Sequence, residues 1–251
     1  MIPGFLDFDE LRHGGSLYLI TDDVASPATF LLHRAIHASL KKASGNRCVI
    51  VSSEDISYWK AIAIRSGVNL DDCQRSGTLN FVDCFDALSL PSKPFVLSQN
   101  EHDLSLSLLF RRIEECLAAH TTGTPFIVID DVASLEWTGL SPTEVSRFVR
   151  ALVSLARRFD ATIIARQHVL GSPTPNLATR ILLELCTVHV EVLPLATGRS
   201  GAVTGEIAIH RGHAAGRDQE LKVVPRSRAV QYKLSDHSAL FFQRGTGAGI
   251  L

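Results

Sequence analysis

Through the first three quarters of the chain, short apolar runs alternate with longer amphipathic ones. The runs "SLYLI", "RCVIVSS", "LNFVDCF", "PFIVIDD" and "ATIIARQHV" read as strands. Between and after them lie "PATFLLHRAIHASLKKA", "DISYWKAIAIRSG", "HDLSLSLLFRRIEECLAAH", "SPTEVSRFVRALVSLARRF" and "NLATRILLELC", which read as helices. In the first helix Phe30, Leu31, Ala35, Ala38 and Ser39 fall near helical spacing, with Pro27 in the first turn, where a missing N–H is no loss. Gly67 is placed to end the second helix, and Ser141, Pro142 and Glu144 form a cap, a first-turn proline and a back-reaching carboxylate. "PFIVIDD" has four apolar residues in a row before two acids, the mark of a strand buried on both faces. Strands alternating with helices argue for a mostly parallel central sheet covered by helices on both sides.

After Cys186 the pattern changes. "VHVEVLPL", "GEIAIHRG", "AVQYKLSD" and "SALFFQRG" are strands separated by turns too short for crossover helices, so an antiparallel extension of the sheet is expected. The expected organisation is a single α/β domain over 1–251: an alternating core over 1–187, an antiparallel extension over 188–245, and a mobile tail over 246–251.

Composition narrows the function classes. A chain of 251 residues that is 45% apolar can bury one sizeable core. Lys and Arg number 25 against 26 Asp and Glu, so any nucleic-acid or membrane contact must come from a local patch. No apolar run approaches the roughly 18 residues that span a bilayer, and "MIPGFLDFDELRHGG" lacks the features of a leader. The five cysteines, Cys48, Cys73, Cys84, Cys116 and Cys186, are scattered and mostly within apolar segments, which suits a reducing compartment. A location in the cytoplasm, and also the nucleus, is expected, with no membrane contact.

The candidate chemistry begins at "LYLITDDVASPAT", a strand, loop and helix with the layout of a phosphate-binding loop. That loop calls for G-x-x-x-x-G-K-[ST], whose amides and lysine neutralise phosphate. Here one register puts Thr21, Ser26, Pro27 and Ala28 at the key places, and the other puts Asp22, Pro27, Ala28 and Thr29; neither supplies glycine or lysine. Proline removes a donor, and Asp22 and Asp23 would repel a polyphosphate by about 1–4 kcal/mol per charge pair at 4 Å. The loop therefore reads as degenerate.

Three further landmarks follow. "IVIDD" resembles a strand whose terminal acids, Asp130 and Asp131, hold magnesium, or Asp130 simply caps a turn. Glu54 in "VSSED" is either a catalytic glutamate or a helix-capping acid. Gln167 and His168 close the fifth strand, where a γ-phosphate sensor would sit, and the Val169–Asn176 loop after them is a candidate pore loop. Elsewhere, Arg147, Arg150, Arg157 and Arg158 ring one helix, either as a solvated face or as a subunit contact that could act in trans. The segment from His210 to Arg228 has five cations (Arg211, Arg217, Lys222, Arg226, Arg228) against two acids, net +3, and is a candidate RNA-contacting loop or a solvated one. "HRAIH" spaces His33 and His37 as metal ligands are spaced, but no third ligand suggests itself; neither a metal nor a cofactor is expected.

The order of strand, degenerate loop, helix, acidic strand end, polar strand end and C-terminal hairpins resembles a RecA-like three-layer sandwich without its ATPase residues. More specifically, "RCVIVSSEDISYWKAIAIRSGVNL", "PFIVIDDVASL" and "VQYKLSDHSALFFQRGTGAGIL" resemble the family of the sixth subunit of the Elongator complex. That resemblance covers nearly the whole chain, and its C-terminal "QYK...D.S..FF..G" pattern is the most telling. It implies a non-catalytic subunit of a hetero-hexameric ring with Elongator subunits 4 and 5, each present twice. The ring would associate with the catalytic Elongator subunits and bind tRNA in support of wobble-uridine modification. The rival expectation is a RecA- or KaiC-type ATPase with an unconventional loop, using Asp130 and Glu54.

Overall fold

The computed structural model describes residues 14–41, 46–88, 101–119, 123–169, 174–195, 198, 201, 203–217, 219–235 and 238–244, with the side chains of 41 and 101–105 left aside. The expected tail 246–251 and part of the Val169–Asn176 loop lie outside these residues.

Strands β1 (Leu17–Asp22), β2 (Arg47–Ser52), β3 (Leu79–Asp83), β4 (Pro125–Asp130), β5 (Thr162–His168), β6 (Val188–Leu193), β7 (Gly205–Arg211), β8 (Val230–Leu234) and β9 (Ala239–Phe242) form one sheet. Their order is β3-β2-β4-β5-β1-β6-β7-β8-β9. β1 to β6 run parallel, and β7, β8 and β9 add on antiparallel. β6 pairs parallel with β1, so the antiparallel extension begins one strand later than the turn spacing suggests. Helix α8 (Leu177–Leu185) supplies the crossover that the parallel pairing needs.

Helices cover the sheet on both sides. α1 (Thr29–Lys41), α2 (Ile56–Ala63) and α3 (Leu70–Arg75) pack over a core containing Tyr18, Ile20, Ile50, Val128 and Ile164. α5 (Glu101–Ala118), α7 (Pro142–Arg158) and α8, with the short α4 (Cys84–Leu88) and α6 (Val132–Trp137), cover Leu19, Val51, Ile129 and Ile163. Every residue of β1, β2 and β4 is buried, as strands sandwiched between helix layers require. The fold class read from the pattern is the one observed. The short α3, α4 and α6 escaped that reading because five- or six-residue helices complete too few turns to show a period.

Local signals hold where they are specific. Ser141 and Glu144 form a full capping box on α7, with Pro142 in its first turn. Gly67 takes φ +78 and closes the turn after α2. α1 begins at Thr29 rather than at Pro27, and it buries Leu31, Leu32, Ala35, Ile36 and Ser39 while Phe30 stacks on Tyr232.

Candidate functional site

The strand order brings the C-terminal ends of β4, β5 and β1 side by side, with β5 in the middle. In register, Ile20 lies opposite Arg166 and Asp22 opposite His168, while Ile129 lies opposite Ala165 and sets Asp130 beside Arg166. Paired residues on parallel strands share a face, so Asp22, Asp130, Arg166 and His168 all point towards the α1 layer. Arg166 Nε donates to Asp130 Oδ1 at 2.5 Å, Nη1 to Asp22 Oδ2 at 3.2 Å, and Nη2 to Asp131 Oδ2 at 3.4 Å. The guanidinium is only 13% exposed, and the three carboxylates 0–6%.

Asp22 is held from three directions. Besides Arg166, its Oδ2 accepts the Ala28 N–H at 2.6 Å, and its Oδ1 pairs with His168 Nδ1. Ala28 immediately precedes α1, so this amide belongs to the positive end of the helix, where a phosphate would otherwise sit. The next carboxylate, Asp23, accepts the Ala25 N–H at 2.8 Å, and its carbonyl accepts from Ser26, folding the turn on itself. Ser26 is buried, Pro27 is exposed without an N–H, and Thr21 faces the other side of the sheet, where its Oγ1 meets His189 Nε2 at 2.7 Å.

Burial and charge set the ionisation of this cluster. Burial pushes Asp130 up to about 6 despite the opposing Arg166 cation, and it raises Asp131 for the same reason. Burial also pulls on Arg166, but Asp130, Asp22 and Asp131 outweigh it and keep the guanidinium charged. The hydrogen bond to Asp22 holds His168 above the ordinary imidazole range against the effect of burial.

A magnesium nucleotide, the group this layout calls for, does not fit these residues. The α1 amide is already bonded to a carboxylate, no lysine stands in the loop, and the acid that would hold the metal is ion-paired to an arginine. The expected electrostatic objection is thereby revised. The Asp22 charge is compensated inside the protein, and the obstacle to phosphate is occupancy of its seat rather than bare repulsion.

The other candidates are placed as follows. Asp131 caps α6, its Oδ1 accepting the Ser134 N–H at 2.8 Å. Gln167 is fully buried and, by alternation along β5, points away from Arg166 and His168; its Nε2 donates to the His168 carbonyl. Its placement does not suit a sensor on the site's face. The His168 and Trp137 rings meet in a T-shaped contact with centroids 6.2 Å apart, and Trp137 is 60% exposed. Glu54 is exposed, and the helix-capping acid is its neighbour Asp55. Arg150 and Arg158 pair within the chain with Glu184 and Glu114. His33 packs on Trp59 while His37 Nε2 meets the Ser66 carbonyl, so the two imidazoles serve different neighbours.

The cationic loop divides in two. Arg226 forms a two-pronged pair with Glu191, and Arg211 donates to the carbonyls of Gly216 and Gln219, so both build the loop they sit in. Arg217, Lys222 and Arg228 are exposed, and Arg217 and Arg228 make no ion pair among the described residues.

No motif in the sequence marks Arg166, Glu191 or Glu206. A signal existed for the first: an arginine inside the otherwise apolar "TIIARQH" must find buried anions, and two neighbouring strands end in aspartate. Glu191 and Glu206 lie in the alternating "VHVEVL" and "GEIAIHR", where a solvated strand face was the ordinary expectation.

The chain matches the family model described as Elongation complex protein 6 over residues 7–236. It is 26% identical over 253 residues to the Elongator complex protein 6 of Danio rerio, covering 93% of this chain and 92% of that one. It is 24% identical over 258 residues to the Homo sapiens protein of the same name, covering 94% and 93%. Among solved structures it is similar to a KaiC-like protein from Pyrococcus horikoshii, with a TM-score of 0.64 and 13% identity over 91% of this chain and 90% of that one, a likeness of fold.

Proposed function

The chain belongs to the Elongation complex protein 6 family, and on that premise we propose that it serves as a non-catalytic, RecA-like subunit of a hetero-hexameric ring with Elongator subunits 4 and 5. The ring joins the catalytic Elongator subunits and holds tRNA for modification of the wobble uridine. The observation that carries the non-catalytic part is the Arg166 cluster, because a centre filled by Asp22, Arg166 and Asp130 leaves no seat for a phosphate or its metal. The expected pore loop and the exposed Arg217, Lys222 and Arg228 are the proposed tRNA contacts, recognising backbone rather than bases.

Assembly is the premise to test first. Co-expression with subunits 4 and 5, followed by light scattering, is expected to give a ring of two copies of each chain. A chain that stays monomeric beside both partners overturns the reading. For RNA, Arg217→Glu with Arg228→Glu in the assembled ring is expected to weaken tRNA binding and to reduce the salt slope by about 1 per cation removed. An unchanged affinity and slope removes this loop from the RNA surface.

A further inference from the structure

On the side of the sheet away from the Arg166 cluster, α5 and α7 run in the same direction, because each leads back to the start of a parallel strand. An open groove of about 590 Å³ lies between them, within the size range of ligand-binding clefts. Its floor is apolar. Leu106 and Phe148 belong to the core beneath, Phe110 is half-buried beside them, and Ala151 is exposed and too small to close the gap. The charge on its walls is one-sided. Both acids that line it are engaged, Glu114 with Arg158 and Glu144 with the Ser141 N–H in the α7 capping box. The two cations, Arg111 on α5 and Arg147 on α7, are exposed and make no ion pair among the described residues.

An apolar trough with one arginine on each wall fits an amphipathic helix whose apolar stripe is flanked by acids. From Leu106 to Glu114 the lining covers a rise of about 12 Å, or roughly two turns of such a helix. A nucleic-acid backbone would use the two arginines but leave the apolar floor uncovered, and Glu114 and Glu144 would oppose it. We propose that the α5–α7 groove is a docking site for an acidic amphipathic helix of a partner protein, with Arg111 and Arg147 pairing to its flanking carboxylates. The groove is separate from the Arg166 centre and from the cationic loop, so this site stands or falls independently of ring assembly and of RNA binding.

The probe is a fluorescein-labelled peptide of about 15 residues, with leucines at i, i+3, i+4 and i+7 spacing, glutamates flanking that stripe and alanines elsewhere. A counterpart carries lysine in place of glutamate. Both are titrated by anisotropy against the full chain as wild type, as Arg111→Glu with Arg147→Glu, and as Ala151→Phe. All three positions are exposed, and melting temperatures near that of the wild type verify that the variants fold. The wild type is expected to bind the acidic peptide saturably and at least about tenfold more tightly than the basic one. The charge-reversed chain is expected to invert that preference. Ala151→Phe fills the trough but leaves both arginines, and it is expected to weaken the acidic peptide by at least about tenfold. No saturation up to about 1 mM, equal binding of the two peptides, or binding that survives Ala151→Phe overturns the proposal. Displacement of the bound peptide by tRNA overturns it too, since the groove is then a nucleic-acid site. So does light scattering in which the wild-type chain alone is a dimer and Ala151→Phe a monomer, because the occupant is then a second copy.

Discussion

Replacing Arg166 by methionine keeps much of the apolar stem and removes the charge. Three carboxylates, none more than 6% exposed, then lose their shared cation. Breaking a buried ion pair by removing one partner costs about 3–5 kcal/mol, because the remaining charge stays buried without compensation. In a domain of this length that is a fall of about 10 °C in melting temperature. The loss must also depend on pH. Arg166 is the main influence holding down Asp130 and Asp131, so its removal lifts further two groups that burial already raises. A group with a raised folded pKa favours the folded state at low pH and loses that contribution as pH climbs through the folded value. The deficit of Arg166→Met is therefore greatest near pH 8 and shrinks towards pH 5, where the freed carboxyls take up protons. Urea unfolding in EDTA at both values measures it, with Asp130→Asn added to show partial recovery at pH 8. A loss under about 1 kcal/mol, or one equal at both pH values, refutes the view that this cluster is a mutually dependent charged core.

Asp22→Asn keeps the shape but halves the acceptor capacity, so the Ala28 amide is expected to exchange with solvent faster, and hydrogen exchange by NMR reads this directly. Ser141→Ala breaks the α7 capping box and should cost about 1 kcal/mol in urea unfolding. Burial lowers His33 and His189 to about 4. Their contribution to stability is complete above the unfolded value near 6.5 and is lost as pH falls towards 4, by up to about 3 kcal/mol each. His33→Asn should flatten that acid limb, with the raised His168 and Asp130 acting in the opposite direction.

Much of the fold was legible in the chain because its signals are local. The all-buried β1, β2 and β4 announce themselves as apolar runs, and Ser141, Pro142 and Glu144 specify a helix start through contacts within four residues. Half of the site was legible too: the loop's lack of glycine and lysine, and the acids closing β1 and β4. The paired state of those acids was not legible. Asp22 on its own predicts repulsion of phosphate, and only its contacts turn it into an occupant of the seat. The same holds for Arg226, a free cation by composition and the partner of Glu191 in space.

By itself the sequence determined the alternation of strands and helices, the layered α/β class and a first loop without glycine or lysine, since each follows from side-chain periodicity and residue type. Only the tertiary structure decided what stands beside that loop. Arg166 meets Asp130 across 36 residues and Asp22 across 144, and it does so because β5 is inserted between β4 and β1. Periodicity tells which face of a strand a residue occupies, but crossover order alone tells which strand lies beside it.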